Sequence, residues 1–293
     1  MHGRVRSFFS KKNHDVPDSQ RHKRFKSLAS IASNFKTNLH HIIDRAYVML
    51  ACNFKTFVIN LDSSKARWQT CQQQLENVPI ERISAVDGRQ LNNDELNRHF
   101  NIQLNQRQYH KTLTAGEIAC YMSHRKVWAK IVEENLDFAL VLEDDFLLTG
   151  DLHELLSSVA AIAQPWHCIK LTEYPIKRKE LSSKPLGKFH LVSYNKVPAR
   201  TGAQLISQAG AKRLLLASEK FGRPVDIDLQ YWWEHNLIVI GLKPYIFAVN
   251  HSSGSDIEAI FQRKKTQTRH LSKLYQQLYF YLGNQRAIKQ EPF

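Results

Sequence analysis

Long hydrophobic runs are missing from this chain of 293 residues. No stretch approaches the roughly 18 to 20 uninterrupted apolar residues that a membrane-spanning helix needs. The opening segment MHGRVRSFFSKKNHD has basic residues with no apolar core behind them, which argues against a secretory signal. Cysteine is sparse. Cys52, Cys71, Cys120 and Cys168 lie far apart and form no C-x-x-C pair. That argues against a disulfide scaffold or a zinc framework and for free thiols in a reducing, cytoplasmic compartment. Acid is also in short supply: 27 Asp and Glu against 41 Lys and Arg leave a net charge of +14. Such a balance favours anionic partners. Yet there is no paired Cys/His set and no aromatic RNA-binding signature, so no nucleic-acid partner is expected.

What is present is ordinary globular material. Apolar residues make up 43% of the chain and aromatics 10%, enough to fill a core. The length suits one large α/β domain with extensions, or two small domains. The positive charge gathers at the ends. Residues 1–27 hold eight Lys or Arg against two Asp, and the segment FQRKKTQTRHLSKLYQQLYFYLGNQRAIK is basic with interleaved aromatics. This pattern reads either as solvated tails or as attachment to an anionic membrane surface, with Phe25, Tyr275, Tyr279 and Tyr281 at the headgroup level. The expected organisation is a basic extension over 1–50, a compact domain over 51–260 and a basic, aromatic helical tail over 261–293. An apolar stripe at Leu39, Ile42, Ile43, Ala46, Met49 and Leu50 predicts an amphipathic helix late in the extension.

Within the domain, strand and helix signals alternate. Thr56 to Leu61 is a β-branched strand that ends at Asp62 and two serines. ARWQTCQQQLENV predicts a helix stopped by Pro79, and IERISAVDG a strand that ends in an Asp87-Gly88 turn. LTAGEIACYMSHRKVWAKIVEENL is the clearest helix: Thr114 and Glu117 form the Thr-x-x-Glu capping box, which makes Thr114 the N-cap. FALVLEDD is an apolar run without alternation, as in a strand buried on both faces of a mainly parallel sheet. Further strands are expected in HCIKL, KFHLVSY, AQLIS and NLIVIGLKPYIFAV. YPIKRKELSSKPLGKF reads as a mobile surface loop. The alternation predicts an α/β fold.

The densest negative charge of this basic chain, Glu143-Asp144-Asp145, follows directly on the apolar run. In open α/β sheets, ligands bind at the carboxyl ends of strands. Three adjacent carboxylates beside a low-dielectric core repel one another unless a cation neutralises them. Oxygen ligands of this kind suit Mg²⁺ or Mn²⁺, held together with substrate phosphates. The alternatives are an exposed acidic loop or the acidic first turn of a helix.

The segments VINLDSSKARW, ISAVDG, LTAGEIACYMSHRKVW, ALVLEDD, IKL, RTGAQLIS and RPVD occur in this order. Together, over roughly residues 54–260, the chain resembles glycosyltransferase family 25. That family comprises lipooligosaccharide galactosyltransferases of Gram-negative bacteria, with collagen galactosyltransferases as distant relatives. The resemblance implies a GT-A type nucleotide-diphospho-sugar fold and a UDP-sugar donor, usually UDP-galactose. It also implies a saccharide or lipid-linked glycan acceptor, and a divalent metal, Mn²⁺ or Mg²⁺. A place on the inner face of the inner membrane would suit a lipid-linked acceptor.

Roles follow from the resemblance position by position. Asp145 is expected to touch the metal, with Glu143 assisting and Asp144 holding the ribose or a water in the metal's outer shell. Asn60, Asp62 and Asp87, at the ends of the first two strands, are candidates for nucleotide contacts, although Asp-Gly is a turn dipeptide in its own right. Arg67 faces either a phosphate or solvent. Ser123 and His124 are donor-site candidates. His124 shares the helix stripe of Cys120 and Trp128, so a hydrogen-bonded core histidine is the competing reading. Thr201-Gly202 suits a close approach of backbone to sugar. Asp226, with Asp228 second, is the candidate base that takes the acceptor's proton in an inverting transfer, against a plain N-cap role. Tyr231, Trp232 and Trp233 offer rings for a sugar, with a core role expected for at least two of them. A metal-dependent phosphodiesterase would need further ligand sets, and only one tight acidic cluster is present.

Overall fold

The structure, a computed structural model, describes residues 52–173, 178–250 and 268–290. The expected extension over 1–50 with its amphipathic stripe, Phe25, and residues 262–267 of the basic tail lie outside the described residues.

Ten strands carry the fold: β1 (Phe54–Asn60), β2 (Ile80–Ser84), β3 (Phe138–Glu143), β4 (Phe146–Leu148), β5 (Cys168–Lys170), β6 (Glu180–Leu186), β7 (Phe189–Tyr194), β8 (Ala203–Ser207), β9 (Val239–Lys243) and β10 (Phe247–Val249). Eight form one sheet in the order β2-β1-β3-β8-β5-β9-β7-β6, and β4 pairs with β10 beside it. The helices are α1 (Lys65–Gln74), α2 (Asn93–His99), α3 (Ile102–Gln108), α4 (Ala115–Glu133), α5 (Leu152–Ala160), α6 (Gln208–Ala217), α7 (Val225–Asp228) and α8 (His270–Gln290). A 3-10 segment, Leu229–His235, continues from α7.

The α/β class expected from the alternation is the class observed, with helices on both faces of the sheet. The sheet is mixed in direction. β1 runs parallel to β2 and β3, and β5 parallel to β9, while β8 is antiparallel to both β3 and β5 and β7 is antiparallel to both β6 and β9. β3 lies at the centre and explains its own composition. Leu140 and Leu142 point into one core with Cys71, Leu75 and the α5 residues Leu152, Leu155 and Leu156. Ala139 and Val141 point into the other, with Ile118, Tyr121, Val127 and Trp128 of α4. A strand covered on both faces has no reason to alternate polar and apolar residues.

Helix α4 starts as its sequence predicts. Glu117 N donates to Thr114 Oγ1 (3.2 Å) and Thr114 N donates to Glu117 Oε2 (2.8 Å), which closes the capping box. Gly88 lies against this start: a Cβ there would sit 2.7 Å from the Ala115 carbonyl oxygen, so the Asp87-Gly88 turn is fitted to the helix end.

Two readings change. The segment expected to be a mobile loop contains β6, an exposed strand at the sheet edge that pairs with β7 and includes Pro185. Polar residues, lysine and proline are what an unpaired edge tolerates, so an edge strand and a loop share one composition. The apolar run 236–249 divides at Pro244, and its second part, β10, leaves the main sheet to pair with β4. Helix α8, in the expected tail, buries only Gln276, Asn284 and Ala287, and no described helix is long and apolar enough to cross a membrane.

Candidate active site

The carboxyl ends of β1, β2 and β3 open at the same edge of the sheet, because the three strands run parallel. Ile59 pairs with Glu143, so Asn60 comes to lie beside the acidic turn that joins β3 to β4. The antiparallel neighbour β8 begins where β3 ends, and Glu143 N donates to the Gly202 carbonyl (2.9 Å). Backbone pairing therefore assembles Asn60, Glu143-Asp144-Asp145 and Thr201-Gly202 from three distant stretches of chain.

The three acids then differ sharply. Glu143 is tied down: His124 Nε2 lies 3.0 Å from its Oε1, and Thr201 Oγ1 donates to the same oxygen at 2.5 Å. Burial works against its charge, but the His124 and Thr201 contacts, helped by the Lys170 charge, hold its pKa below the usual carboxylate range. Asp144 accepts from Arg67 Nη1 (3.0 Å) and Asn60 Nδ2 (2.6 Å). Asp145 is different. Its backbone carbonyl accepts from Asn250 N (2.7 Å), but among the described residues no side chain donates to its carboxylate. Burial first, then the Glu143 charge, push its pKa up to about 6, with Arg200 opposing. Neighbouring acids whose environments drive their pKa values apart are a mark of functional sites.

Asp226 and Asp228 sit two residues apart in α7 and face different surroundings. Asp228 is buried and fully engaged. Tyr121 OH donates to its Oδ2 (2.7 Å), His235 Nε2 is 3.3 Å from that oxygen, and Arg223 Nη1 is 3.2 Å from Oδ1. Arg223 also holds Glu234 and stacks 3.5 Å above the Tyr231 ring. Asp226 has one short-range partner, the Ile227 N–H at 2.8 Å. The N-cap of α7 is Pro224, and no side chain caps it. Burial raises the Asp226 pKa, and the charges of Glu143 and Glu117 add to the rise against Lys170. Asp226 thus shares the electrostatic field of the β3 acids, whereas Asp228 belongs to a buried ion-pair network.

The remaining expected positions divide in the same way. His124 is fully buried and hydrogen-bonded, as the core-histidine reading expects, and its partner is Glu143. Ser123 accepts from Val86 N and donates to the Ala119 carbonyl, both at 2.8 Å, and braces the β2 exit from within. Asp62 is exposed and pairs with Arg82 and Ser84, and Asp87 pairs with Arg89. A Cβ on Gly202 would meet Asp145 Oδ1 at 3.9 Å, so the open side of this glycine faces the acid. Tyr231 is buried, while Trp232 and Trp233 pack edge-on to each other beside α8. All four cysteines are free.

One further charged residue acts on these acids. Lys170, at the end of β5, is completely buried, and its Nζ donates to the Arg200 carbonyl. Burial lowers its pKa against the charges of Asp226 and Glu143. The signal was a lysine inside the apolar stretch HCIKL.

The donors fit an oxygen-ligated divalent cation. Asp145 is a desolvated carboxylate without a side-chain donor, and Glu143 stays ionised next to it. A second ligand-like group among the described residues, Cys120, His124 and Glu143, has its donor atoms within 4.8 Å of one another. Burial and the Glu143 charge push the Cys120 thiol far up, which keeps it protonated and unsuited to a metal.

These features define an α/β protein with an acidic cluster at the carboxyl ends of parallel strands and a second desolvated acid that feels its charge. The model of "Glycosyltransferase family 25 (LPS biosynthesis protein)" matches residues 53–229, and the chain belongs to that family. A probable inactive glycosyltransferase 25 family member 3 of Bos taurus is 29% identical over 68% of this chain and 37% of its own length. Procollagen galactosyltransferase 2 of Homo sapiens is 28% identical over 59% of this chain and 29% of its own. The chain thus spans well under half the length of these relatives. The crystal structure of a glycosyltransferase involved in glycosylation of the major capsid of PBCV-1 aligns at a TM-score of 0.38 and 8% identity, covering 77% of this chain and 98% of that one.

Proposed function

We propose that this chain transfers a sugar, galactose, from a UDP-sugar to a hydroxyl of a saccharide acceptor of the lipooligosaccharide or lipopolysaccharide kind. The family description and the galactosyltransferase relatives support the substrate classes. The observation that carries the chemistry is the pair of desolvated acids, Asp145 and Asp226, that both feel the charge of Glu143.

In this reading Asp145 and Glu143 are the residues that would hold Mn²⁺ or Mg²⁺. A divalent ion there supplies positive charge to the leaving UDP. Arg200, whose charge reaches Asp145, adds to it. Asn60, Asp144 and Arg67 form a linked wall beside the nucleotide. Asp226 takes the proton of the acceptor hydroxyl as its oxygen attacks the anomeric carbon and the bond to UDP breaks, the electron pair leaving with UDP. A raised pKa makes Asp226 a stronger base than a solvated aspartate. Attack opposite the leaving group inverts the anomeric centre. Asp228 keeps α7 in place through its ion pairs.

Helix α8 supports a peripheral membrane position: Leu271, Leu274, Leu278 and Leu282 are exposed at helical spacing, with Lys273 and Arg286 on the same helix. The decisive experiment for the function is slow donor hydrolysis, with a panel of UDP-sugars and Mn²⁺ and UDP release as the readout. UDP-galactose is expected to be hydrolysed fastest. Binding of UDP with no hydrolysis of any donor would leave a nucleotide-binding relative without transferase activity.

A further inference from the structure

A cavity of about 450 Å³ lies under α8, between that helix, the end of α3 and the start of the 3-10 segment. Its size falls within the range of small-ligand sites. Its place in the fold ties it to the proposed chemistry: Ile227 lines the cavity, and Ile227 N donates to Asp226 Oδ1. The proposed base is thus the chain neighbour of a residue in the cavity wall.

The lining has a distinct chemistry. Phe280 and Tyr281 offer rings, Gln277 an amide, and Lys196, Lys273 and His110 basic groups. Among the described residues no Asp or Glu lines it. Lys196 Nζ sits 4.7 Å from the Phe280 ring centroid. Burial first, then the charges of Lys111, Lys273 and Arg269, lower the His110 pKa, and burial with Arg178 lowers that of Lys196. The wall is also braced. Gln276 Nε2 donates to the Arg107 carbonyl (3.2 Å) and Asn284 Nδ2 to the Asn195 carbonyl (2.6 Å), which fixes α8 across the opening. Gly283 lets α8 lie against Trp233, since a Cβ there would stand 2.8 Å from the indole nitrogen.

Rings that stack on sugar faces, an amide for hydroxyls and basic groups without a counter-acid make a site for a sugar that carries negative charge. We propose that this cavity is the acceptor subsite and that it takes an acidic saccharide, one bearing a phosphate or a carboxylate. The assignment as acceptor subsite rests on the transferase reading above, with Asp226 as base.

The test is ligand-observed NMR and calorimetry on the full chain with glucose 6-phosphate, glucuronate, glucose and inorganic phosphate. The two acidic sugars should bind more tightly than either glucose or phosphate, and the stronger of the two names the acidic group. Lys273→Gln, at an exposed position, should weaken acidic-sugar binding about tenfold, the scale of one lost charge-assisted hydrogen bond. Phe280→Ala should weaken it as well, with circular dichroism confirming the fold of both variants. Equal binding of glucose, equal binding of inorganic phosphate, no binding at all, or indifference to both substitutions would each overturn the proposal. Donor hydrolysis separates the two claims. Hydrolysis without acidic-sugar binding removes this inference and leaves the transferase reading. Acidic-sugar binding without hydrolysis removes the transferase reading and the acceptor assignment with it, and leaves a site for acidic sugars.

Discussion

Asp145→Asn removes one negative charge at nearly constant shape, at a carboxylate that accepts no described side-chain hydrogen bond. In the folded chain its pKa is raised from 3.8 to about 6. The folded state therefore prefers the protonated acid. Stability contributed by this group is fully present below about pH 4, falls as pH rises through 4 to 6, and levels off above 6. The size of the fall is about 3 kcal/mol, from 1.36 kcal/mol per pKa unit. At pH 7.5 without metal, Asp145→Asn should be more stable than the parent by up to this amount, and its stability should lack the parent's decline over pH 4 to 6. Mn²⁺ should close most of this gap. It stabilises the parent by about 2.7 kcal/mol at a concentration 100 times its dissociation constant, and does little for the variant. Urea unfolding at pH 4, 5, 6 and 7.5, with and without MnCl₂, measures both effects. If the variant is less stable than the parent at pH 7.5 without metal, or if Mn²⁺ stabilises both alike, Asp145 is not the strained, cation-seeking acid described above.

Asp226→Asn should retain UDP binding by calorimetry and lower single-turnover transfer by about 10² to 10⁴-fold; a loss below about tenfold would reassign the base. Asp228→Ala should leave the Tyr121 hydroxyl and His235 without their carboxylate, and Arg223 with Glu234 alone, and cost about 3 to 5 kcal/mol in urea unfolding; an unchanged midpoint would contradict the structural role. Leu274→Glu combined with Leu278→Glu should abolish sedimentation with anionic liposomes at low salt and spare the thermal midpoint. Equal sedimentation of the parent with neutral and anionic lipids would remove the membrane role of α8.

Much of this architecture could be read locally. The capping box at Thr114 and Glu117 depends on four consecutive residues, and it forms as expected. The β3 run is apolar throughout because both its faces are covered, and that pattern was legible without knowledge of what covers it. The placement of acids at the end of that strand followed from the same stretch. What the tertiary structure decided is which groups meet there. Thr201 bonds Glu143 across 58 residues, and Asn60 bonds Asp144 across 84. Both contacts depend on strand order and direction, which local propensity does not encode. The edge strand β6 and a loop have the same polar composition, so only its pairing with β7 distinguishes them. Asp226 and Asp228 read alike in sequence, two acids in one short helix. Burial beside Arg223, His235 and Tyr121 turns one into a structural anion. Burial without such partners leaves the other with a raised pKa, because a charge removed from water is stabilised only by the groups that folding brings to it.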